Sequence, residues 1–228
     1  MLAFDIGCYN GDSTEKILQY YDKIICVDAN PNAISEIKKK FKDNKSIKII
    51  HGCISNKNNN ETFFISSHPI WCSCIKEIAK RDKQILNIIE VPSLNIVNII
   101  DKYGCPDYLK CDIEGYDIIL LNQLMNSNYR PKYISCESEC IGLRNININN
   151  NEDLLVLNAL KDLEYNKFVL IDQHNNIINE SLNIFEDYDF SKLDKFWISY
   201  DEIKNLIRSI DRNRYNTFHF WYDIIATY

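Results

Sequence analysis

What this chain of 228 residues lacks narrows its function first. No stretch approaches about 18 uninterrupted apolar residues, so no membrane-spanning helix is expected. Residues 1–10 carry no basic segment followed by an apolar one; export is not expected, and the reading is a soluble, cytoplasmic protein. The 26 lysines and arginines are scattered rather than gathered into a stripe. At a net charge of −6 the electrostatic footprint of a nucleic-acid binder is therefore missing. A zinc finger is missing too, because Cys72-x-Cys74 is too tight for the usual pair and no second Cys/His pair at finger spacing answers it. Nine cysteines is an odd number, and Cys26, Cys53, Cys111 and Cys136 lie in apolar runs, which reads as reduced structural thiols. No internal repeat is present.

What is there is a hydrophobic content of 46%, enough for one α/β domain over residues 1–228. Apolar runs alternate with helical patterns, which predicts a mostly parallel seven-stranded sheet with helices on both faces, a Rossmann-like fold. Strands are expected at Leu2–Ile6, Lys23–Val27, Ile47–His51, Tyr108–Cys111, Tyr133–Cys136, Phe168–Ile171 and about Phe218–Ala226. Asp12-x-x-Glu15 reads as a capping box for a helix reaching about Tyr21, and Asn30-Pro31 as the start of a second helix. Further helices are expected at Leu94–Tyr103, Ile118–Met125 and Glu152–Leu163. Residues 54–90 look least regular, with a short strand at Thr62–Ile65 and a loop holding His68 and Trp71, a candidate margin for a site. Residues 1–140 read as a cofactor-binding core, and 141–228 as the part that completes the sheet and supplies a lid.

Acids and glycines gather just after strands, where open parallel sheets bind ligands. Asp5, Gly7 and Gly11 follow the first strand, Asp28 the second, Asp112, Glu114 and Gly115 the fourth, and Glu137 and Glu139 the fifth. Gly7-x-x-x-Gly11 carries Tyr9 where a dinucleotide loop has its middle glycine, which disfavours a pyrophosphate. Asp28 suits a ribose diol, since a carboxylate accepts two hydroxyl hydrogen bonds. Asp5 stands where it can receive an ammonium or organise the glycine loop. A ligand with a diol, an adenine and an amino-acid end matches S-adenosyl-L-methionine.

The sequence resembles the class I S-adenosylmethionine-dependent methyltransferases, and within them the FkbM family. The likeness covers roughly residues 2–140 and runs through Phe4-Asp5-Ile6-Gly7-Cys8-Tyr9-Asn10-Gly11, Val27-Asp28-Ala29-Asn30-Pro31 and Gly52-Cys53-Ile54-Ser55. It continues through Val91-Pro92-Ser93-Leu94, Leu109-Lys110-Cys111-Asp112-Ile113-Glu114-Gly115-Tyr116-Asp117 and Ile134-Ser135-Cys136-Glu137. The resemblance implies methyl transfer to a hydroxyl of a sugar, glycan or small metabolite. Asp28, with Ala29 beside it, would hold the ribose; Gly7, Tyr9 and Gly11 would line the methionine end; Cys53 and Ile54 would flank adenine. Family members often carry a helix before the first strand, whereas Met1 nearly abuts it here, so a lid is expected from residues 66–83 or 174–216.

Methyl transfer needs the acceptor oxygen placed and its proton removed. The candidates are Asp112, Glu114 and Glu137. One reading makes Asp112 or Glu114 a metal-free base. Another has Asp112 and Glu137 hold Mg²⁺, in a pattern similar to catechol O-methyltransferase-like enzymes. A third has Glu114 cap the next helix and Glu137 bond loop amides. Asp112 and Glu114 share a side if the chain is extended there, and a turn would splay them. His219 reads as a packed strand histidine or a base, and His68 and Trp71 as wall or core. The competing functions are an NAD(P)-dependent oxidoreductase and a non-catalytic cofactor-binding module.

Overall fold

A computed structural model describes residues 1–81, 83–138, 154–172, 188–209 and 222–228. Five parallel strands form its centre: Leu2–Ile6 (β1), Lys23–Asp28 (β2), Ile47–His51 (β3), Tyr108–Cys111 (β7) and Tyr133–Ser138 (β8). Lys167–Asp172 (β9) and Tyr222–Thr227 (β10) complete a seven-stranded sheet in the order β3-β2-β1-β7-β8-β10-β9. Only β10 runs against its neighbours, inserted between β8 and β9.

Central parallel strands are covered on both faces, so they read as continuous apolar runs rather than alternating ones. Phe4 and Ile6 face one layer and Ala3 the other, where Asp5 follows by the period of two. The first layer holds Ile96–Tyr103 (α4), Asp117–Met125 (α5), Leu155–Asp162 (α6) and Tyr200–Ser209 (α7). In α5, Leu120, Leu121 and Leu124 are fully buried, each contributing about 2 kcal/mol. The opposite layer holds Asp12–Ile17 (α1), Pro31–Lys40 (α2) and the aromatic segment of Tyr188, Phe190 and Leu193.

Several local expectations change. The helix after β1 ends at Ile17, and its cap is Gly11 in the left-handed region, with no side-chain cap bond. The capping box therefore does not form; Asp12 and Glu15 both pair with Lys40 instead, at 2.7 and 2.8 Å. Asn30 does cap α2, accepting from the Asn32 amide at 3.0 Å, with Pro31 at the first helical position. Asn95 caps α4, which moves that helix start from Leu94 to Ile96.

The segment expected to be irregular is a second sheet. Asn60–Ser66 (β5) pairs antiparallel with Ile85–Leu94 (β6), and Cys53–Ile54 (β4) pairs parallel with its far end. Its period was hidden because one face lies toward solvent yet keeps apolar residues, with Leu86 at 64% and Ile88 at 55% exposure. Between β5 and β6 lie a single turn at Pro69–Trp71 and the short helix Lys76–Lys80 (α3). The polar linker at 145–151, the start of the helix at 152–153 and residues 218–221 of the closing strand fall outside the described residues.

Gln123 of α5 ties this second sheet to the core. Buried to 6% exposure, it accepts from the Ile96 amide at 2.9 Å and donates to the Ser55 carbonyl at 2.9 Å and to Asn56 at 3.0 Å. Gln123→Ala is expected to lower stability by roughly 2–3 kcal/mol, since it strands buried partners on both sides; urea denaturation measures this.

Candidate functional site

Strand order reverses at β1, with β2 and β3 on one side and β7 and β8 on the other. The crevice outside the carboxyl ends of the strands at such a point is where open α/β sheets take ligands. A cavity of about 480 Å³ lies there, within the range of small-molecule sites. Gly7 and Tyr9 line it from the β1 loop, Asp28 and Ala29 from the tip of β2, and Cys53 and Ile54 from β4. Asp112, Glu114 and Glu137 close the other side. The cavity thus gathers nine of the eleven residues expected at the site; Asp5 and Gly11 are the two that do not line it.

The β1 loop is shaped by contacts more than by openness to a ligand. Gly7 has φ +85°, and a Cβ on it would stand 1.7 Å from the Asp112 carbonyl oxygen, so this glycine lets β1 and β7 exit side by side. Gly11 packs against Phe41 and Ile37 of the α2 end, away from the cavity. Asp5 is fully buried and accepts from Ser13 Oγ at 2.9 Å and Thr14 Oγ1 at 2.6 Å. Of its two expected roles, organising the loop is the one its contacts serve.

Tyr9 has φ +43°, a strained value for a residue with a side chain. Its amide donates to Asp28 Oδ2 at 2.8 Å, and the Asn30 amide donates to Asp28 Oδ1 at 2.7 Å. Burial pushes the Asp28 carboxyl up to about 6, although both amides pull the other way. Burial also raises the Cys72 thiol at the cavity wall, which suits a structural thiol rather than a nucleophile.

Asp112, Glu114 and Glu137 bring carboxylate oxygens within 4.8 Å of one another. A turn does follow β7, with Glu114 at φ +52° and Gly115 at φ +94°, but it does not splay the acids. Glu114 does not cap α5, whose cap residue is Tyr116. Its carboxylate instead meets Arg81 Nη2 at 2.8 Å, and its carbonyl accepts from Ser73 Oγ at 2.8 Å. Lys110 Nζ lies 2.8 Å from Asp112 Oδ2. The loop before α3 reaches the cavity through Pro69, Ile70 and Cys72. Trp71 lies outside that lining, stacked on His68 at 4.3 Å with the Arg81 guanidinium 5.6 Å from its ring. Glu139, His219 and residues 174–187 and 210–216 are outside the described residues.

Four ionisable residues that line the cavity or act on its acids were missed: Lys110, Arg81, Asp117 and Asp223. Lys110 is buried in β7, in register with Asp5 of β1. Burial works against its charge, but Asp112 and then Asp5 outweigh it and hold it well above the ordinary lysine value. Asp117 accepts from the Glu137 amide at 3.2 Å and the Ile113 amide at 3.3 Å, joining the turn after β7 to β8. Asp223 of β10 stands opposite Glu137, and burial, then Asp112, pushes it up to about 7 against the pull of Lys110. The available signal for Lys110 and Asp223 was a charge inside an apolar strand, which is rare without a partner.

The class that this strand order and switch-point cavity define is the Rossmann-like α/β fold, a mostly parallel seven-stranded sheet covered by helices. No protein-family model and no curated protein matches the chain. Among solved structures it is similar to precorrin-6y C5,15-methyltransferase from Geobacter metallireducens GS-15, at 10% identity over 100% of this chain and 81% of that one, TM-score 0.43. It is also similar to the N-methyltransferase NodS from Bradyrhizobium japonicum WM9, at 10% identity over 99% and 84%, TM-score 0.42. A third is StiE O-MT, at 9% identity over 99% and 67%, TM-score 0.45. No described helix is long and apolar enough to cross a membrane.

Proposed function

We propose that this chain is an S-adenosylmethionine-dependent methyltransferase acting on a hydroxyl of a sugar, glycan or other small metabolite. The observation that carries the reading is one cavity with the Asp28 carboxylate at one end and the acids of β7 and β8 at the other. The residues present fit the donor: Asp28 for the ribose, apolar Cys53, Ile54 and Phe63 for the adenine, and the bare Gly7 edge for the methionine part. When bound, the donor supplies a methyl group on a sulfonium, open to in-line attack. The chain's own part is to orient the acceptor oxygen and take its proton, for which Asp112 and Glu137 line the cavity. Membership of the FkbM family rests on the motif residues from Asp5 to Glu137.

Tyr9 disfavours the oxidoreductase reading. Its side chain stands where a dinucleotide loop needs bare backbone, and its strained amide is already given to Asp28. Isothermal titration of the full chain with S-adenosylmethionine and, separately, NADH decides between them. Saturable binding of the methyl donor and none of NADH is expected; the reverse pattern overturns the proposal. Transfer of labelled methyl to a panel of hydroxylated sugars tests the acceptor class.

A further inference from the structure

We infer that Lys110 and Arg81 are built-in counter-cations of the acidic rim, standing in charge where a divalent metal ion would stand, so that Asp112, Glu114 and Glu137 work without metal. Three carboxylates this close are an all-oxygen set of the kind Mg²⁺ or Ca²⁺ takes. Two of them are already committed. Asp112 Oδ2 holds Lys110 Nζ at 2.8 Å, and Glu114 Oε2 holds Arg81 Nη2 at 2.8 Å. Neither cation is a loose surface group, since their side chains are 7% and 13% exposed and Arg81 also lies 5.6 Å from the Trp71 ring.

Displacing the cation of such a pair is costly where the cation itself is shielded, as Lys110 and Arg81 are, because it would keep its charge out of water without a partner. A divalent ion seated among these oxygens would either displace an ammonium and a guanidinium from buried positions or sit a few ångströms from both. Each cation already neutralises the carboxylate that it touches, and both would repel a hard divalent ion seated among these oxygens. Lys110 and Arg81 are then positioning residues that hold Asp112 and Glu114 in place. The meaning for chemistry rests on the methyltransferase reading, because it leaves proton removal to the carboxylates themselves.

Mn²⁺, which takes the same oxygen ligands, is the probe, titrated into the full chain with free ion followed by electron paramagnetic resonance. Wild type is expected to show no stoichiometric site with Kd below about 1 mM. Lys110→Met and Arg81→Met should each raise Mn²⁺ affinity about tenfold or more by removing one repelling charge. Lys110→Arg should stay metal-silent, and adding Asp112→Asn to Lys110→Met should abolish the gain. A purely packing role for Lys110 would not create a metal site. Tight 1:1 binding by wild type that Asp112→Asn abolishes overturns the inference, as does a folded Lys110→Met and Arg81→Met pair that both gain nothing. If Lys110→Met does not fold, wild type and Arg81→Met still decide it. No arm uses the methyl donor, so failure of donor binding and failure here are separate results.

Discussion

Gly7→Ala is expected to cost about 4 kcal/mol or more of stability, read as a fall in melting temperature of roughly 8–16 °C. Two costs add. The new methyl would stand 1.7 Å from a backbone oxygen of Asp112, which no side-chain rotation relieves, so the exits of β1 and β7 must part. The backbone at φ +85° is also strained for any residue with a Cβ. Gly11→Ala and Gly104→Ala are the graded controls. At Gly11 the first clash is with the Phe41 ring at 2.7 Å, a side chain that shifts, and at Gly104 nothing lies closer than 3.7 Å. Both positions have positive φ, so the backbone cost is shared and the remaining difference reports the close crossing at Gly7. Melting temperatures should rise in the order Gly7→Ala, Gly11→Ala, Gly104→Ala, and a Gly7→Ala variant no less stable than Gly104→Ala would falsify this account.

Asp28→Ala is expected to weaken S-adenosylmethionine binding by about 1–3 kcal/mol, a factor of roughly 5–150. The variant removes the acceptor for a ribose diol and for the Tyr9 and Asn30 amides, which together hold the strained loop. Wild type should show a related pH dependence. A carboxyl raised to about 6 is protonated below that pH and then loses acceptor capacity, so donor affinity should fall as pH drops through about 6. Stability moves in the opposite sense. The folded-state value lies above the usual carboxyl value of 3.8, so this group's contribution to stability is fully present below about 4 and lost as pH rises toward 6. Calorimetric affinity and thermal stability, each measured from pH 4 to 8, should therefore diverge across the acid side. A pH-independent affinity across this range, equal in wild type and Asp28→Ala, sinks the ribose role.

Much of the fold is legible in residue order. Runs such as Ile24–Val27 are apolar on both faces because central parallel strands are covered on both sides, and Asn30-Pro31 announces α2 because its cap is local. Signals of this kind need only near neighbours. The capping box at Asp12 failed because Lys40, distant in sequence, took both acids, and β6 was missed because its outward face keeps Leu86 and Ile88.

The sequence by itself determined the alternation of strands and helices and the placing of Gly7, Asp112 and Glu114 just after strands, and it made Tyr9 an argument against a pyrophosphate loop. Each is a matter of periodicity or of one residue's conformational range. Asp28 and Glu137, expected just after their strands, fall within β2 and β8 instead. Only the tertiary structure decided that Gly7 serves the crossing with Asp112, that Gly11 and Asp5 stand outside the cavity, and that Lys110 and Arg81 neutralise the acidic turn. The reason is physical: ion pairs and close backbone approaches join residues far apart in the chain, and which charge meets which is set by strand order and register.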